Sequence, residues 1–259
     1  MLLLRSLAFN VAFYAWTAGF TLVTLPVYFF LTQQKAMVVV RLWTRGTAWL
    51  LRAIAGTSYQ VRGLENLPPG GALIACKHQS AWETMALVPI LSDPTYVMKE
   101  ELARIPVFGA YTTKAGMIHV DRGGKTAALR ALAERAREEI AKGRQVVMFP
   151  EGTRRPPGAP PDYQSGIALL YKTLGVPVIP AALNSGLYWP RRKLTHHPGT
   201  ILLEFLPAIP AGLDSRGFLA RLEADIETAT DRLMAEAAHA SPAPPLPAEA
   251  AARLGERAG

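Results

Sequence analysis

The chain has 259 residues, half of them hydrophobic and only 19% charged, a composition that excludes an intrinsically disordered protein. Lys and Arg outnumber Asp and Glu by 28 to 20, and the formal net charge of +8 favours an anionic partner such as nucleic acid, anionic lipid or a phosphorylated substrate. The single cysteine, Cys76, excludes an intramolecular disulfide and a multi-cysteine zinc site. Because the chain is apolar and its positive charge is spread out, we expect a lipid surface and no nucleic acid as partner.

The N-terminal segment 6–32 contains no charged residue. About 20 apolar residues cross a bilayer as a helix, so this segment is long enough to span one, and Pro26 is expected to kink or end the helix. Basic residues are more frequent after the segment than before it, which predicts that the following side is cytoplasmic. A cleavable signal peptide fits poorly, because its apolar run is typically only about 7–15 residues.

The next segment, 36–55, is apolar but carries three arginines. At about 100° per residue, Arg41, Arg45 and Arg52 fall on one narrow stripe, which is typical of a helix at a membrane interface. The alternative is a core-facing helix whose arginines meet solvent. We therefore predict two membrane-engaging helices over residues 1–55, either one span plus one interfacial helix or a monotopic pair.

Beyond Gly56, short apolar runs alternate with helical periodicity, which predicts an α/β fold with a mixed, largely parallel sheet flanked by helices. One folded domain is expected over residues 56–240, and a flexible tail over 241–259, which is rich in proline and alanine. The predicted strands are 59–62, 72–76, 96–98, 117–120, 146–149, 178–183 and 201–205. The predicted helices are 82–91, 125–142, 167–174 and 218–238.

The first polar motif, KHQSAWET at 77–84, directly follows a predicted strand. Open α/β sheets place ligand sites at the carboxyl ends of strands, and His78 occupies that position. Glu83 is expected in the first turn of the next helix, where its carboxylate could fix the tautomer of the His78 imidazole and stabilise its charged form. A purely structural histidine at a strand end is the alternative.

The second motif, GMIHVDR at 116–122, also runs from a strand into a turn. Arg122 precedes two glycines and the start of a helix, which favours binding of an anion. The alternative is an ion pair between Asp121 and Arg122 that organises the turn.

The third motif, FPEGTRR at 149–155, follows another apolar strand. Its proline and glycine predict an abrupt turn that presents Glu151, Thr153 and Arg154. Backbone N–H groups near Gly152 and the guanidinium of Arg154 suit a phosphate or a hydroxyl group, and Glu151 could order them.

A fourth motif, GVPVIPAAL at 175–183, combines two prolines with small apolar residues, which indicates either a strand beside an apolar pocket or plain core. Lys99 and Lys114 add positive charge between the first two motifs, where a solvated surface is the alternative interpretation.

Taken in this order and spacing, H-x4-acid, G-x-I-x-V-D-R, F-P-E-G-T-R and V-P-V-I-P resemble the motifs of the glycerolipid acyltransferase family. The most similar branch is that of the bacterial 1-acyl-sn-glycerol-3-phosphate acyltransferases. The resemblance covers about residues 59–205, implies a glycerol-3-phosphate acyltransferase-like fold, and fits the hydrophobic N-terminal pair. One departure is that the family's first motif usually reads H-x4-D, whereas Glu83 is one methylene longer.

The resemblance also implies roles for single residues. His78 would be the general base that removes the proton of an acceptor hydroxyl as it attacks a thioester, and Glu83 would orient it. Backbone N–H groups near the first or third motif are expected to stabilise the oxyanion. The implied substrate-binding residues are Lys99, Arg122, Glu151, Gly152, Thr153 and Arg154, and the implied acyl-pocket residues are Val178, Ile179 and Pro180.

The implied acyl donor is acyl-CoA or acyl-carrier protein, the acceptor is lysophosphatidic acid and the product is phosphatidic acid, with no metal or organic cofactor. The implied location is the bacterial inner membrane, with the catalytic domain on the cytoplasmic face. Three alternatives remain: another lysolipid acceptor such as a lyso-amino-lipid, an inactive lipid-binding protein, and a covalent route through Cys76, which shares a strand face with His78.

Overall fold

A mixed sheet forms the centre of the protein in the computed structural model, which describes residues 1–121 and 125–258. Its strands are β1 (Thr57–Arg62), β2 (Ala72–Cys76), β3 (Pro94–Lys99), β4 (Ile118–Val120), β5 (Gln145–Met148), β6 (Val178–Leu183) and β7 (Gly199–Phe205). In the described part of the chain they form one seven-stranded sheet in the order β1-β7-β6-β2-β5-β3-β4. Neighbouring strands are parallel except β6 and β7, so the predicted α/β fold with a largely parallel sheet is confirmed.

The helices are α1 (Leu2–Tyr28), α2 (Gln33–Leu50), α3 (Trp82–Ile90), α4 (Glu100–Ala103), α5 (Phe108–Lys114), α6 (Lys125–Ala141), α7 (Ser165–Leu174), α8 (Ser215–Ala238) and α9 (Ala248–Ala258). Periodicity predicts α3, α6, α7 and α8 to within three residues at either end. Gly175 ends α7 in the left-handed conformation, at φ 64°, which glycine adopts without a Cβ clash. The sequence does not predict α4 and α5, because such short helices show no repeat.

Two apolar layers cover the sheet. Successive side chains of a strand point to opposite faces, and β2 divides in this way. Leu73 and Ala75 pack against the side of α6, α7 and α8, whereas Ile74 and Cys76 pack against the side of α1, α2 and α3. Because both faces are covered, β2 is an unbroken buried apolar run.

The helix α1 contacts the α/β domain at both of its ends. Near its start, the backbone N–H of His196 donates to Ser6 Oγ at 2.9 Å. Near its end, the ring of Tyr28 stacks on that of Tyr111 with centroids 3.8 Å apart, and Thr24 Oγ1 lies 2.9 Å from the Tyr111 hydroxyl. The helix therefore lies along the domain instead of pointing away from it.

By length and composition, α1 is able to cross a membrane. An 18-residue window of the helix has a hydropathy of 1.3, and only 6% of that window is buried. Its exposed large apolar side chains are Leu2, Leu3, Leu4, Leu7, Val11, Tyr14, Leu22, Val23 and Val27. An unpartnered surface of this size is typical of contact with lipid.

The helix α2 packs between α1 and α3, and its arginines have two different environments. The guanidinium of Arg41 donates to carbonyl oxygens at the end of α3, including that of Leu91 at 3.4 Å. A cation is favourable there because the helix dipole places negative charge at the C-terminus. Arg45 and Arg52 remain exposed, so only part of the predicted basic stripe is free for an interface.

The C-terminal segment differs from the flexible tail that the sequence predicts over 241–259. Instead, α9 packs against the protein, with Ala250 fully buried and Leu246 and Leu254 beside the same core. The proline-rich composition describes only the linker that precedes this helix. Alanine is a strong helix former, and the packing of one apolar face stabilises the short helix.

Candidate active site

The predicted polar motifs meet at the carboxyl edge of the sheet. The first motif follows β2 and the third follows β5, which is paired directly with β2. Lys99 is the last residue of β3, which is separated from β2 by β5. At a strand spacing of roughly 4.8 Å, the backbone of Lys99 therefore lies about 10 Å from β2. Arg122, which follows β4, lies outside the described residues.

The centre of the site is a pair formed by His78 and Glu83. Their Nδ1 and Oε1 atoms are 2.8 Å apart, the carboxylate is fully buried and the imidazole is 14% exposed. Since a carboxylate can only accept, the neutral imidazole that fits this contact carries its proton on Nδ1 and keeps its lone pair on Nε2. The pair therefore offers a base at Nε2.

Glu83 lies in the first turn of α3, where it also organises the loop that carries His78. Its Oε1 accepts from the backbone N–H groups of Gln79 and Ser80, each at 2.7 Å, and its Oε2 accepts from the Ser185 hydroxyl at 2.7 Å. An acid at this position is favourable because free N–H groups and the helix dipole meet there. Ser185 follows β6, and no sequence motif indicates its role.

Glu151 joins the third motif to the first. Its Oε2 accepts from the backbone N–H of His78 at 3.0 Å, and its Oε1 lies 2.7 Å from Lys77 Nζ. The ring of Phe149 stacks on the imidazole of His78, with centroids 4.1 Å apart and planes 21° from parallel. Backbone and ring of His78 are thus both held by the third motif.

Burial raises the pKa of the Glu151 carboxyl above its ordinary value, against the opposing effects of the Lys77 ammonium and the His78 N–H. Both oxygens of this buried side chain already have protein partners, which favours the ordering role over direct contact with a substrate. No motif marks Lys77 as a site residue in the sequence, although a lysine between a buried strand and His78 signals a buried countercharge.

The outer part of the third motif is positively charged. Thr153 is exposed and Arg154 is half-buried. Arg191, from the loop after β6, donates from Nη1 to the Arg154 carbonyl at 2.6 Å. Burial and the nearby charges of Arg192 and Arg154 lower the pKa of Arg191. Like charges gathered in this way favour an anionic ligand, and Arg191 has no motif that reveals it in the sequence.

The loop 78–80 of the first motif offers no backbone donor to an oxyanion. The N–H groups of His78, Gln79 and Ser80 all donate to carboxylates. In the third motif, the backbone N–H groups of Thr153 and Arg154 have no acceptor within the described ranges. The turn of the third motif is therefore the better of the two predicted positions for oxyanion donors.

Other predicted residues lie at the edge of this constellation or beneath it. Lys99 is exposed, whereas Val178, Ile179 and Pro180 are buried in β6, next to β2, as part of the core. Cys76 is fully buried, and burial raises the pKa of its thiol well above the usual value. A thiol that resists ionisation is a poor nucleophile, which argues against the covalent route.

Comparison with known proteins shows which family the chain resembles. Residues 58–184 match the acyltransferase family. The chain is 39% identical over 198 residues to a 1-acyl-sn-glycerol-3-phosphate acyltransferase of Pseudomonas aeruginosa, covering 76% of this chain and 77% of that protein. It is 31% identical over 105 residues to a lyso-ornithine lipid O-acyltransferase of the same organism, covering 40% of each chain.

A solved structure shares the fold. The crystal structure of the 1-acyl-sn-glycerophosphate acyltransferase of Thermotoga maritima superposes with a TM-score of 0.72 at 19% identity, covering 90% of this chain and 99% of that one. Together with the match to the Pseudomonas relative and the ordered motifs around His78, this establishes that the chain is an enzyme of the glycerolipid acyltransferase family.

Proposed function

We propose that this acyltransferase moves a fatty acyl group from acyl-CoA or acyl-carrier protein to the sn-2 hydroxyl of 1-acyl-sn-glycerol-3-phosphate, giving phosphatidic acid for phospholipid biosynthesis. The observation that carries the proposal is the pair of His78 and Glu83, whose Nδ1 and Oε1 atoms are 2.8 Å apart. The pair lies beside the positively charged turn of the third motif, called here the cationic turn, where Arg154 and Arg191 meet. The Pseudomonas relative that matches most of the chain carries the corresponding name.

In the proposed reaction, Nε2 of His78 takes the proton of the acceptor hydroxyl as the oxygen attacks the thioester carbonyl. Glu83 stabilises the imidazolium that forms, and the amides of Thr153 and Arg154 stabilise the tetrahedral oxyanion. Collapse expels the thiolate, which receives the proton back from His78. Every step uses the side chains and backbone of this site, so we propose no metal or organic cofactor.

The acceptor phosphate is assigned to the positive side of the site. Arg154 and Lys99 face the same edge of the sheet as His78, and Arg122 follows the next strand beyond Lys99. Glu151, Gly152 and Thr153 would shape the turn near the glycerol. The segment Val178, Ile179 and Pro180 packs in the core of β6 and would support the acyl site from beneath.

We also propose that α1 attaches the enzyme to the membrane as a monotopic helix. Contacts at both ends hold it along the domain, and a perpendicular span would break one set of them. The acyl chains of substrate and product then stay in the same leaflet as the site. The net positive charge suits the anionic lipid of a cytoplasmic leaflet, so we propose the cytoplasmic face of the inner membrane.

The proposed function is tested with purified enzyme, labelled oleoyl-CoA or oleoyl-acyl-carrier protein, and three acceptors: lysophosphatidic acid, lyso-ornithine lipid and lysophosphatidylcholine. We expect phosphatidic acid as the main product by mass. His78→Ala should lower kcat by about 10²–10⁴-fold, the usual contribution of a positioned base. A folded His78→Ala variant with wild-type activity would remove His78 from the mechanism.

The phosphate assignment has its own test. Arg154→Ala should raise the KM for lysophosphatidic acid by about 10–100-fold, because a charge-assisted hydrogen bond contributes roughly 1.5–3 kcal/mol. Arg122→Ala should act in the same direction. The exposed Arg216 at the start of α8 offers a matched control, and Arg216→Ala should leave KM unchanged.

The second candidate acceptor is a lyso-amino-lipid. The stretch of similarity to the lyso-ornithine lipid O-acyltransferase favours testing it, although the cationic turn suits a phosphate better. If the wild type acylates lyso-ornithine lipid preferentially and Arg154→Ala keeps wild-type kinetics, lyso-ornithine lipid would replace lysophosphatidic acid as the proposed acceptor. Absence of transfer to all three acceptors with either donor would contradict the proposed function.

A further inference from the structure

A chain of buried charged side chains connects the active site to the C-terminal helix α9. Lys77 Nζ lies 2.7 Å from Glu151 Oε1 and 2.5 Å from Glu227 Oε1 on α8. Arg253 of α9 continues the chain, with Nη2 3.0 Å from Glu227 Oε2 and Nε 2.8 Å from Asp231 Oδ1. Since Glu151 accepts from the His78 amide, four contacts separate Arg253 from the base.

The helix α9 supplies one of the two cations of this network, Arg253. Three carboxylates, each no more than 5% exposed, face the two cations Lys77 and Arg253. Tyr163 adds a neutral donor, 2.9 Å from Glu227 Oε1. Without Arg253, Glu227 would lose one of its two cations and would pair with Lys77, which also pairs with Glu151. A buried carboxylate without a partner is energetically costly, so the remaining side chains would rearrange or one of the carboxylates would take up a proton.

The helix α9 also supports the loop that follows the third motif. A Cβ on Gly158 would lie 2.3 Å from the backbone nitrogen of Ala250, so loop and helix are in close contact. Arg253 Nη1 donates to the Ala159 carbonyl at 3.4 Å. At the start of the same loop, the backbone N–H of Arg155 donates to the His78 carbonyl at 2.8 Å. Two routes thus lead from α9 to His78.

We infer that α9 is a positioning element of the active site, in which Arg253 acts through Glu227 and Lys77 to hold Glu151 against the His78 amide. The inference rests on the proposed function, because it assigns the network a role in placing the base. Arg253 itself does not contact the reacting atoms. Because Arg253 also pairs with Glu227, Lys77 is not the sole cation for Glu227 and is available to pair with Glu151 as well.

The test compares kcat in Arg253→Gln, Arg253→Lys, Glu227→Gln and the double variant Arg253→Gln/Glu227→Gln. Loss of positioning should lower kcat about 10–100-fold in Arg253→Gln, as for misplacement by about 1 Å. Arg253→Lys should recover part of the rate. The double variant should be no slower than the slower single variant, because both substitutions break the same route.

Arg232 provides the matched control. It also pairs with two carboxylates beside α8, at 2.6 Å from Glu204 and 3.1 Å from Glu236, but on the exposed side of that helix. Arg232→Gln should keep the wild-type kcat. All rates are measured at a temperature at which circular dichroism shows each variant folded. If Arg253→Gln does not fold, Arg253→Lys and Glu227→Gln test the same route.

Amide hydrogen exchange gives a readout that does not depend on the reaction. In Arg253→Gln, peptides covering 76–80 and 149–155 should lose protection, and those of Arg232→Gln should not. Loss of protection confined to 246–255, with kcat unchanged, would overturn the inference and leave α9 a merely structural helix. If no acceptor is acylated by the wild type, the proposed function fails, while exchange still decides whether α9 orders the His78 loop.

Discussion

Glu83 is one methylene longer than the aspartate of the usual H-x4-D motif, and its carboxylate receives four hydrogen bonds. Three donors converge on Oε1, including the His78 ring and two backbone amides. The extra methylene lets the carboxylate meet these donors from the first turn of α3. An amide at this position would offer one acceptor oxygen and turn an N–H₂ group toward a donor.

Substitutions of Glu83 should therefore separate the effect of its negative charge from the effect of its side-chain length. We expect kcat/KM to fall about 10²–10⁴-fold in Glu83→Gln, because the imidazolium loses its counterion and the wrong tautomer is favoured. Glu83→Asp should lose about 10²-fold, because its carboxylate ends roughly 1.5 Å short. Steady-state kinetics on the folded variants gives the order wild type, Asp, Gln. Equal rates for Gln and wild type would show that His78 works without an acidic partner.

His196 is a buried titratable group in the contact between α1 and the domain. Its Nε2 lies 3.1 Å from Asn10 Oδ1, and its ring packs edge-on against Phe9 and Trp189. Its Nδ1 is buried and has no hydrogen-bond partner in the described part of the chain. Burial, aided by the nearby His197, lowers the pKa of His196 to about 4.

The stability of the enzyme should therefore fall between pH 6.5 and 4. In this range the unfolded His196 binds a proton that the folded one does not, so the free energy of unfolding decreases as the pH falls. A shift of this size is worth about 3 kcal/mol. Denaturant unfolding in detergent at several pH values measures the slope of the free energy of unfolding against pH. His196→Gln should be less sensitive to pH in this window, and an identical slope would exclude His196 as its source.

At the scale of elements, α1 decides how the protein meets the membrane. The helix is about 40 Å long at 1.5 Å per residue, and each of its ends is fixed to the domain. Although α1 is long enough to span a bilayer, it therefore lies along the protein. Its outward side chains would enter one leaflet, as those of an interfacial helix do.

Cysteine labelling distinguishes the two arrangements. Cys76→Ser removes the single cysteine and should retain activity, since the buried thiol has no role in the proposed reaction. In this background, Leu2→Cys and Phe30→Cys mark the two ends of α1. We expect a membrane-impermeant maleimide to label both from the same side of sealed vesicles. Labelling from opposite sides would contradict the monotopic arrangement.

At the scale of the whole molecule, the net charge of +8 and the apolar surface of α1 act together on a lipid surface. The two contributions respond differently to salt. Between 0.01 and 1 M salt the Debye length falls from about 30 to 3 Å, which screens attraction to anionic lipid but leaves apolar burial intact.

Binding to vesicles should show both contributions. We expect high salt to weaken cosedimentation with phosphatidylglycerol vesicles without abolishing it. Binding to phosphatidylcholine vesicles should change little, since no lipid charge is screened. Complete release from phosphatidylglycerol at high salt would show that α1 adds no apolar attachment.

Local patterns account for what the sequence alone determines. Short runs of apolar and β-branched residues predict all seven strands of the described sheet, and the runs are continuous in β2 and β6, which are buried throughout. The spacing of His78 and Glu83 likewise lies within one strand–loop–helix unit, so its geometry is local. The first and third family motifs indicate the candidate catalytic edge, because their polar residues lie at the carboxyl ends of β2 and β5.

Only the tertiary structure decides which distant groups complete the site. Ser185, Lys77 and Glu227 meet Glu83 and Glu151 because β6, β2 and α8 pack together, and no sequence period encodes those contacts. The same holds for α9, whose composition indicates flexibility. Its helix is stabilised by burial of Ala250 and by ion pairs of Arg253 with α8, which exist only once the rest of the chain has folded.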